Sequence, residues 1–351
     1  MRLARSIFLK DITLSFCVLF LIVFSVVILS SLDKHLFPLY FIYIIVALGA
    51  FWFFSQIDFD IVSLFSKHFY VASIALLLLT LVIGRVTRGT FRWIPIGPFS
   101  LQPAEIVRPL LLVFFANYMA KGAIDIKKIF KSLILLFIPV ILILVQPSLG
   151  VSVLTVVGFT GVLIATKIDK KYLLVGLGAV IVLLPLLWNF LAPYQKQRLL
   201  TFLEPSKDPL GAGYNSLQST IAVGSGRFFG TGLGKGIQTQ LAFLPEKQSD
   251  FIFAATAEEL GMVGAGLALL VSFIILFRLT YIMENAVSPA ARAYVSGFFL
   301  TYLIQIFIHV GMNMGMLPIT GVPFPLLSAG GSSLLATMVG LGIAVGAYRK
   351  S

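Results

Sequence analysis

The chain has 351 residues, of which 59% are hydrophobic and only 11% are charged. Soluble domains carry about 25% charged residues, so this composition excludes a soluble enzyme, a disordered protein and a nucleic-acid-binding protein. The net charge of +12 comes from short basic clusters between apolar runs, and such clusters act as topology signals in membrane proteins. The composition therefore indicates an integral membrane protein without a nucleic-acid partner.

Apolar runs of about the length that a membrane-spanning helix needs, roughly 20 residues, recur along the chain. They lie near 12–32, 36–55, 69–85, 105–120, 132–147, 150–166, 172–191, 251–277, 294–312 and 332–348. No small-residue cleavage site follows the first run, so we treat it as a retained helix rather than a signal peptide. The sequence predicts one all-α polytopic domain over 1–351 with ten spans, and an even number of spans puts both termini on one side.

Lysine and arginine are distributed unevenly over the predicted loops. With the amino terminus in the cytoplasm, most of them fall in cytoplasmic segments, and the short outer loops hold only Lys34, Arg85, Arg88 and Arg92. Lysine and arginine near helix ends resist translocation across the membrane. The pattern therefore predicts that both termini are cytoplasmic.

One long loop, about 192–250, separates the predicted seventh and eighth spans and faces outward in this orientation. Loops of this length in compact proteins are usually functional or disordered. Apolar residues recur through the loop, and Leu217 and Ile221 have the spacing of a helix face. We expect short amphipathic or re-entrant helices that lie against the outer surface of the membrane.

Asp250 closes the long loop and directly precedes the apolar run that begins at Phe251. An aspartate at this position can cap a helix, because its carboxylate accepts backbone N–H bonds and suits the positive end of the helix dipole. It can also act as a base at the outer edge of the membrane and take a proton from a substrate hydroxyl. The residues alone leave both interpretations open.

Three other acidic residues fall within predicted spans. Glu258 and Glu259 lie deeper in the helix that follows Asp250, and carboxylates at such depth must face a partner or water. We interpret them as structural ties between helices, with a proton relay or an ion site as the alternative. Glu105 lies three residues before Arg108 at the start of the fourth span, so the two share a helix face and can pair.

Two basic residues of the outward segments are candidates for binding phosphate. Arg92 belongs to a basic segment before the fourth span, and arginine forks suit phosphate oxygens; anchoring to anionic lipid headgroups is the alternative. Lys235 lies in a glycine-rich stretch of the long loop, but Gly236 follows it, so the stretch does not match a Walker A loop. The histidines are scattered, and no zinc site is expected.

A series of sequence motifs runs in order through nearly the whole chain. They are Arg92-Trp93-Ile94, Gln102-Pro103-Ala104-Glu105, Gln146-Pro147-Ser148-Leu149-Gly150, Asp208-Pro209-Leu210-Gly211, Gly213-Tyr214-Asn215, Gln218-Ser219-Thr220-Ile221-Ala222-Val223-Gly224-Ser225-Gly226, Phe243-Leu244-Pro245-Glu246, Asp250-Phe251-Ile252-Phe253, Glu258-Glu259-Leu260-Gly261, Leu317-Pro318-Ile319-Thr320-Gly321-Val322-Pro323 and Gly330-Gly331-Ser332-Ser333. In these motifs the chain resembles the SEDS family of shape, elongation, division and sporulation proteins, most closely its RodA branch.

The resemblance implies ten spanning helices, a large outward loop before the eighth, and peptidoglycan glycosyltransferase activity in the bacterial cytoplasmic membrane. It implies that lipid II is the substrate, that a class B penicillin-binding protein supplies transpeptidation, and that other membrane proteins of the elongation complex are partners. The essential aspartate of the family falls on Asp250. The glutamate and neighbouring base of its fourth helix fall on Glu105 and Arg108.

Several positions depart from the family pattern. Arg108 replaces the usual lysine, and Ser148 stands where the family often has aspartate. Gln248 and Ser249 replace a common His-Thr pair, and Ala329 replaces a common tyrosine. None of these changes removes the essential aspartate, so the expected activity is retained, whereas the family's roles for positions 148, 248 and 329 do not carry over.

The mechanism that we predict uses Asp250 as the general base, which deprotonates the 4-hydroxyl of the acceptor sugar for attack on the lipid-diphosphate-linked donor. The leaving diphosphate needs positive charge, and Arg92, Arg108 and Lys235 are candidates to supply it. A divalent cation, Mg²⁺ or Mn²⁺, is the other source, and the sequence assigns no cofactor with certainty. The side chains expected to give polar support are Gln102, Glu258, Glu259, Ser332 and Ser333.

Other functional classes stay open. A flippase or transporter for lipid-linked precursors would use Glu105, Arg108, Glu258 and Glu259 as a polar path through the membrane midplane, whereas a transferase needs its essential residues at the outer mouth. A scaffold without catalytic activity predicts that Asp250 is dispensable. Within the family, a role in division or sporulation is the alternative to elongation.

Overall fold

Apolar helices make up most of the chain in this computed structural model. The described residues are 11–348 without 88, 89, 98, 167, 170, 173–175, 177, 179–187, 189–192 and 205–211. The helices are α1 (Ile12–Leu32), α2 (Leu39–Gln56), α3 (Phe59–Leu64), α4 (Ser66–Ile83), α5 (Pro103–Ala120), α6 (Ile126–Val145), α7 (Leu149–Ala165), α8 (Pro193–Leu203), α9 (Ala212–Ser225), α10 (Ile237–Gln240), α11 (Ile252–Glu284), α12 (Pro289–Asn313) and α13 (Gly331–Gly346).

Among the described residues, six helices are long and apolar enough to cross a membrane, namely α1, α2, α4, α6, α11 and α12. The helices α7 and α13 are apolar but shorter. The predicted spans near 12–32, 36–55, 69–85, 105–120, 132–147, 150–166, 251–277, 294–312 and 332–348 each coincide with a helix to within several residues at most ends. The predicted span 172–191 lies largely outside the described residues, as do Arg88 and the motif at 208–211. The chain is a helical, multi-span membrane protein.

The two ends of the described chain lie at the same end of the helix bundle. Asp11 caps α1 by accepting the Leu14 N–H (3.0 Å), and its other oxygen pairs with Arg278 Nε (2.6 Å) near the end of α11. Tyr348, beyond α13, reaches the hydroxyl of Tyr281 in the same part of α11 (3.3 Å). Residues 11 and 348 therefore lie at the opposite end of α11 from Asp250.

A small antiparallel sheet interrupts the helices between α4 and α5. Its strands are β1 (Arg85–Thr87), β2 (Thr90–Ile96) and β3 (Phe99–Leu101), with β2 in the centre. The first half of β2 pairs with β1 and the second half with β3. The sequence analysis predicted only a basic outward segment here, because β1 and β3 have three residues each and Pro95 within β2 cannot donate to a ladder.

The long helix α11 is broken once, at Gly261 (φ 68°, ψ −164°). The turn that follows α9 supplies hydrogen-bond partners for backbone groups on both sides of the break. The bonds run from Thr231 N to Glu258 O (2.9 Å), Gly232 N to Glu259 O (3.0 Å), Met262 N to Arg227 O (2.9 Å) and Val263 N to Phe228 O (3.2 Å). Irregular backbone within a membrane helix persists where protein satisfies it, so the break anchors the long loop to the bundle.

Helix α12 lies in the middle of the bundle. It packs against α5, α7 and α11, while α13 packs against α2 and α5. The buried apolar residues of these helices form one continuous core. This arrangement brings the starts of α5, α7, α11 and α13 together at one end of the molecule.

Candidate functional site

A cavity of about 270 Å³ lies where these helix starts meet the small sheet and α2. Six side chains that the sequence analysis proposed as catalytic, substrate-binding or supporting residues line it together. They are Arg92, Gln102, Glu105, Asp250, Ser332 and Ser333. The cavity therefore collects residues that are up to 241 positions apart in the sequence and that belong to four different elements.

Asp250 lies one residue before the N-cap of α11, which is Phe251. Its backbone is held at both sides, because its N–H donates to the carbonyl of Glu246 (3.0 Å) and its carbonyl accepts from Asn313 Nδ2 (3.0 Å). Gly321, with φ +67°, passes beside the carboxylate, and a Cβ at this glycine would lie 3.4 Å from Asp250 Oδ2. The helix start thus fixes the aspartate while its carboxylate lines the cavity.

Glu105 and Arg108 form a buried ion pair within α5, between Glu105 Oε2 and Arg108 Nη2. Glu105 lines the cavity, whereas Arg108 lies behind it and lines a separate space of about 20 Å³. Arg108 Nη1 also donates to Gln305 Oε1 (3.2 Å). The positive charge of Arg108 therefore acts on the cavity through Glu105 rather than by contact.

Arg92 reaches the cavity from β2. Its guanidinium lies 5.9 Å from the centre of the Trp93 ring, a distance at which a cation is attracted to the face of an aromatic ring. The pairing of β2 with both neighbouring strands fixes where this side chain leaves the sheet. Of the three basic candidates named above, Arg92 is the one that lines the cavity.

The starts of four helices surround the cavity. Gln102, Ser148, Phe251 and Gly330 are the N-caps of α5, α7, α11 and α13, and none of these four makes a side-chain cap hydrogen bond to its own helix. Two of the starts are tied together, since Gln102 N donates to Ser332 Oγ (2.8 Å) and Gln102 Nε2 to Ser148 Oγ (3.2 Å). Helix starts carry partial positive charge and N–H groups without partners in their own helix, so these four starts favour an anion and oppose the charge of the carboxylates of Glu105, Glu246 and Asp250 in the same cavity.

The remaining predicted site residues lie outside the cavity. Glu258 accepts the N–H groups of the second and third residues of α10 (2.7 and 3.0 Å) and so caps that short helix. Glu259 accepts from the side chains of Gln240 (3.0 Å) and Ser31. Lys235 is exposed in the turn before α10. The structure therefore brings neither these two glutamates nor Lys235 to the residues around Asp250.

An apolar groove of about 300 Å³ opens beside the cavity, between α2, the sheet and α13. Its apolar lining consists of Ile42, Val46, Ile96, Phe99, Leu101 and Leu335. The groove and the cavity share Tyr43, Ser100, Gly331 and Ser332. The Tyr43 hydroxyl accepts from Ser100 N (3.2 Å), which holds the sheet against α2. The polar cavity and the apolar groove therefore adjoin along these four shared residues.

Sequence reasoning missed Tyr43, Gln305 and Asn313 and considered His309 only as a metal ligand. A signal was present, because Gln305, His309 and Asn313 follow each other at four-residue spacing within an apolar helix. Polar residues at that spacing share one face, and polar residues within a membrane helix face protein rather than lipid. The position of Tyr43 has no such signal in the sequence.

The family model for FtsW, RodA and SpoVE, described as a cell cycle protein, matches residues 4–351. The chain is 38% identical to the peptidoglycan glycosyltransferase MrdB of Escherichia coli (strain K12), over 79% of this chain and 76% of that protein. It is 36% identical to the probable peptidoglycan glycosyltransferase FtsW of Aeromonas salmonicida (strain A449), over 87% and 78%.

A solved structure of similar fold comes from work on how a peptidoglycan synthase complex coordinates polymerization and crosslinking. Its matching chain has a TM-score of 0.82 and 31% sequence identity, over 95% of this chain and 96% of that one. The similarity therefore extends over nearly the whole of both chains.

Proposed function

The chain belongs to the family of FtsW, RodA and SpoVE and is a peptidoglycan glycosyltransferase; we propose that it polymerises lipid II into β-1,4-linked glycan strands with Asp250 as the general base. One observation carries this proposal. The carboxylate of Asp250 and the guanidinium of Arg92 line the same cavity, which adjoins an apolar groove. A base, a phosphate-binding cation and a place for a lipid tail are the parts that this reaction needs.

In the proposed reaction, Asp250 takes the proton of the acceptor sugar's 4-hydroxyl. The resulting oxygen attacks the anomeric carbon of the donor, and the bond from that carbon to the diphosphate oxygen breaks. Attack occurs opposite an α-linked diphosphate, so a single displacement inverts the carbon and forms a β-1,4 bond. The lipid diphosphate leaves with the electron pair of the broken bond.

The leaving diphosphate is stabilised by Arg92 and by the helix starts around the cavity. A planar guanidinium can bind phosphate oxygens in a bidentate way, and helix N-termini bind phosphate through their free N–H groups. Arg108 contributes indirectly, because its ion pair with Glu105 limits the negative charge that Glu105 presents to the cavity. Gln102, Ser332 and Ser333 give polar support at the same wall.

A divalent cation is the second source of positive charge considered from the sequence. Among the residues that the structure describes, no group of three or more His, Cys, Asp or Glu side chains is arranged to hold a metal ion. We assign no step of the reaction to a cation.

The polyprenyl tail of a lipid-linked substrate is proposed to lie in the apolar groove. The tail already lies in lipid or detergent, so the groove adds packing contacts and a fixed orientation rather than a hydrophobic driving force. Because the groove adjoins the cavity at Tyr43, a substrate can place its diphosphate beside Arg92 while its tail follows α2. This arrangement gives a physical reason for building the transferase within a membrane.

The cellular setting that we propose is the bacterial cytoplasmic membrane, with the whole chain, 1–351, as one domain and its termini in the cytoplasm. The scarcity of lysine and arginine in the predicted outer loops supports this orientation. A class B penicillin-binding protein and other membrane proteins of the elongation complex are the proposed partners, and the structural similarity to a chain of a peptidoglycan synthase complex supports the first of these. Division or sporulation is the alternative to elongation.

The alternative function, a flippase or transporter for lipid-linked precursors, has less support. It requires Glu105, Arg108, Glu258 and Glu259 to form a polar path, yet only Glu105 of these four lines the cavity. Glu258 and Glu259 bond instead to α10 and α1. The described contacts of these glutamates fit structural ties between helices.

The test is polymerisation of fluorescent lipid II in detergent by the purified protein with its penicillin-binding partner. The partner carries an inactivated transpeptidase site, so that glycan ladders report polymerisation alone. We expect Asp250→Asn to lower the rate at least 100-fold, since general base catalysis contributes about 10²–10⁴. Asp33→Asn, which changes an aspartate in the loop after α1, is the matched control and should keep the native rate. Native ladders from Asp250→Asn would refute the proposed role.

A further inference from the structure

Three buried polar side chains form a row along one face of α12. Gln305, His309 and Asn313 are separated by four residues each, and their exposed fractions are 3%, 0% and 0%. Positions i, i+4 and i+8 of a helix lie on one face. Burying polar groups is costly unless each one is hydrogen-bonded, so the partners of the row show what it holds in place.

Asn313 contacts the start of α11. Its Nδ2 donates to the carbonyl of Asp250 (3.0 Å) and to that of His309 (2.8 Å), and its Oδ1 accepts the N–H of Ala254 (2.9 Å). Ala254 is the third residue of α11. The N–H of a residue at this position normally donates to the side chain of the N-cap residue. The N-cap here is Phe251, which has no acceptor side chain, so Asn313 caps α11 from a neighbouring helix.

The other two members of the row contact the segment that passes beside Asp250. Gln305 Nε2 donates to the carbonyl of Pro323 (3.0 Å), and His309 Nδ1 donates to the carbonyl of Val322 (2.7 Å). Gly321, which runs next to the Asp250 carboxylate, directly precedes these residues. Gln305 Oε1 also accepts from Arg108 (3.2 Å). This face of α12 thus bonds to the backbone of Asp250, to the segment 322–323 beside it, and to the guanidinium of Arg108.

We propose that Asn313 is a positioning residue, which sets the place of the Asp250 carboxylate through the backbone of Asp250. In the same proposal, Gln305 and His309 hold the segment 321–323, which passes beside that carboxylate. This inference rests on the proposed function. Asn313 does not line the cavity, so it acts on the base and not on the substrate. A general base works only within hydrogen-bond reach of the proton that it takes, and a misplacement of 1 Å can lower a rate about 100-fold.

The test separates the kcat of the purified complex from its KM for lipid II. We expect Asn313→Ala to lower kcat about 10- to 100-fold and to change KM less than twofold, because loss of an interaction with the base alone leaves substrate binding unchanged. Asn117→Ala is the matched control. Asn117 is also a buried asparagine, and its amide bonds Ser63 O and Ser66 Oγ on α3 and α4, away from the cavity.

The control variant should lose thermal stability to a similar extent and keep kcat within twofold. If Asn313→Ala is not monodisperse, Asn313→Ser is measured against Asn117→Ser in the same way. A native kcat for the Asn313 variant, or equal losses of kcat in both variants, overturns the inference. With either of these results, a loss of polymerisation in Asp250→Asn would still support the proposed function. If Asp250→Asn polymerises at the native rate, the proposed function itself fails.

Discussion

At the residue scale, two basic side chains that are candidates for binding the diphosphate occupy different places. Arg92 lines the cavity, and Lys235 is exposed in a turn of the long loop. We expect Arg92→Ala to lower kcat/KM for lipid II about 10- to 100-fold, because a hydrogen bond to a charged group contributes about 1.5–3 kcal/mol. The measurement is initial polymerisation rate at several lipid II concentrations.

Lys235→Ala is the control for this change, since it removes a second outward basic side chain. It should keep kcat/KM within twofold of the native value. If Lys235→Ala lost as much activity as Arg92→Ala, the diphosphate would have to contact the turn before α10, which lies outside the cavity.

The identity of a site residue could be predicted from the sequence where its neighbours in the chain carry the information. Asp250 was proposed as the base because it precedes an apolar run and falls on the essential aspartate of the resembled family, and in the structure it lines the cavity. Asn313 was not predicted, because its contact with the start of α11 depends on Phe251, 62 positions earlier in the chain, having no side chain that can cap the helix. Contacts between distant segments of this kind leave no local pattern.

At the scale of the element, the break in α11 depends on Gly261. Its backbone, with φ 68° and ψ −164°, lies in a region that only glycine occupies readily, and a Cβ there would lie 2.3 Å from Gly230 N. We expect Gly261→Ala to destabilise the protein by at least about 1–3 kcal/mol and to lower the melting temperature in detergent.

The control for this prediction is Gly266→Ala in the same helix, where a Cβ would meet nothing within 4 Å. Alanine is a better helix former than glycine by about 1 kcal/mol, so this variant should melt at the native temperature or above it. Equal melting temperatures for both variants would show that the break is not held by the glycine.

The helices could be predicted from the sequence because each apolar run has the length of a span, and α1 coincides with the predicted 12–32. The break in α11 could not, because the apolar run continues through Gly261 and the bonds that satisfy the break come from residues 227–232. The sheet at 85–101 could not either, since its strands are short and Pro95 is typical of a loop.

At the scale of the whole molecule, the polar cavity and the apolar groove are expected to bind different parts of one substrate. Val46 lines the groove, whereas its neighbour Ile45 does not. We expect Val46→Trp to fill the groove and to lower kcat/KM for lipid II with a long polyprenyl tail about tenfold, and to affect an analogue with a short tail much less. The rates of both substrates are compared in the same assay.

Ile45→Trp adds the same ring to the next position of α2 and should leave both rates within twofold of native. Equal effects of Val46→Trp on the two substrates would contradict a tail in this groove. The walls of the groove come from α2, β2, β3 and α13, which are far apart in the sequence. The sequence analysis therefore predicted a multi-span membrane protein but could not predict the position of this groove.

The meeting of four helix starts around the cavity has a consequence for how its charge can be changed. The partial positive charge at a helix start belongs to the peptide groups, about half an elementary charge for each helix, and peptide groups neither titrate nor change with a point substitution. In a variant without Arg92, the contribution of the helix starts to anion binding is therefore the same at pH 5 and pH 9. The helix starts therefore add a constant contribution to the binding of a diphosphate, beside the contributions of the charged side chains that line the cavity.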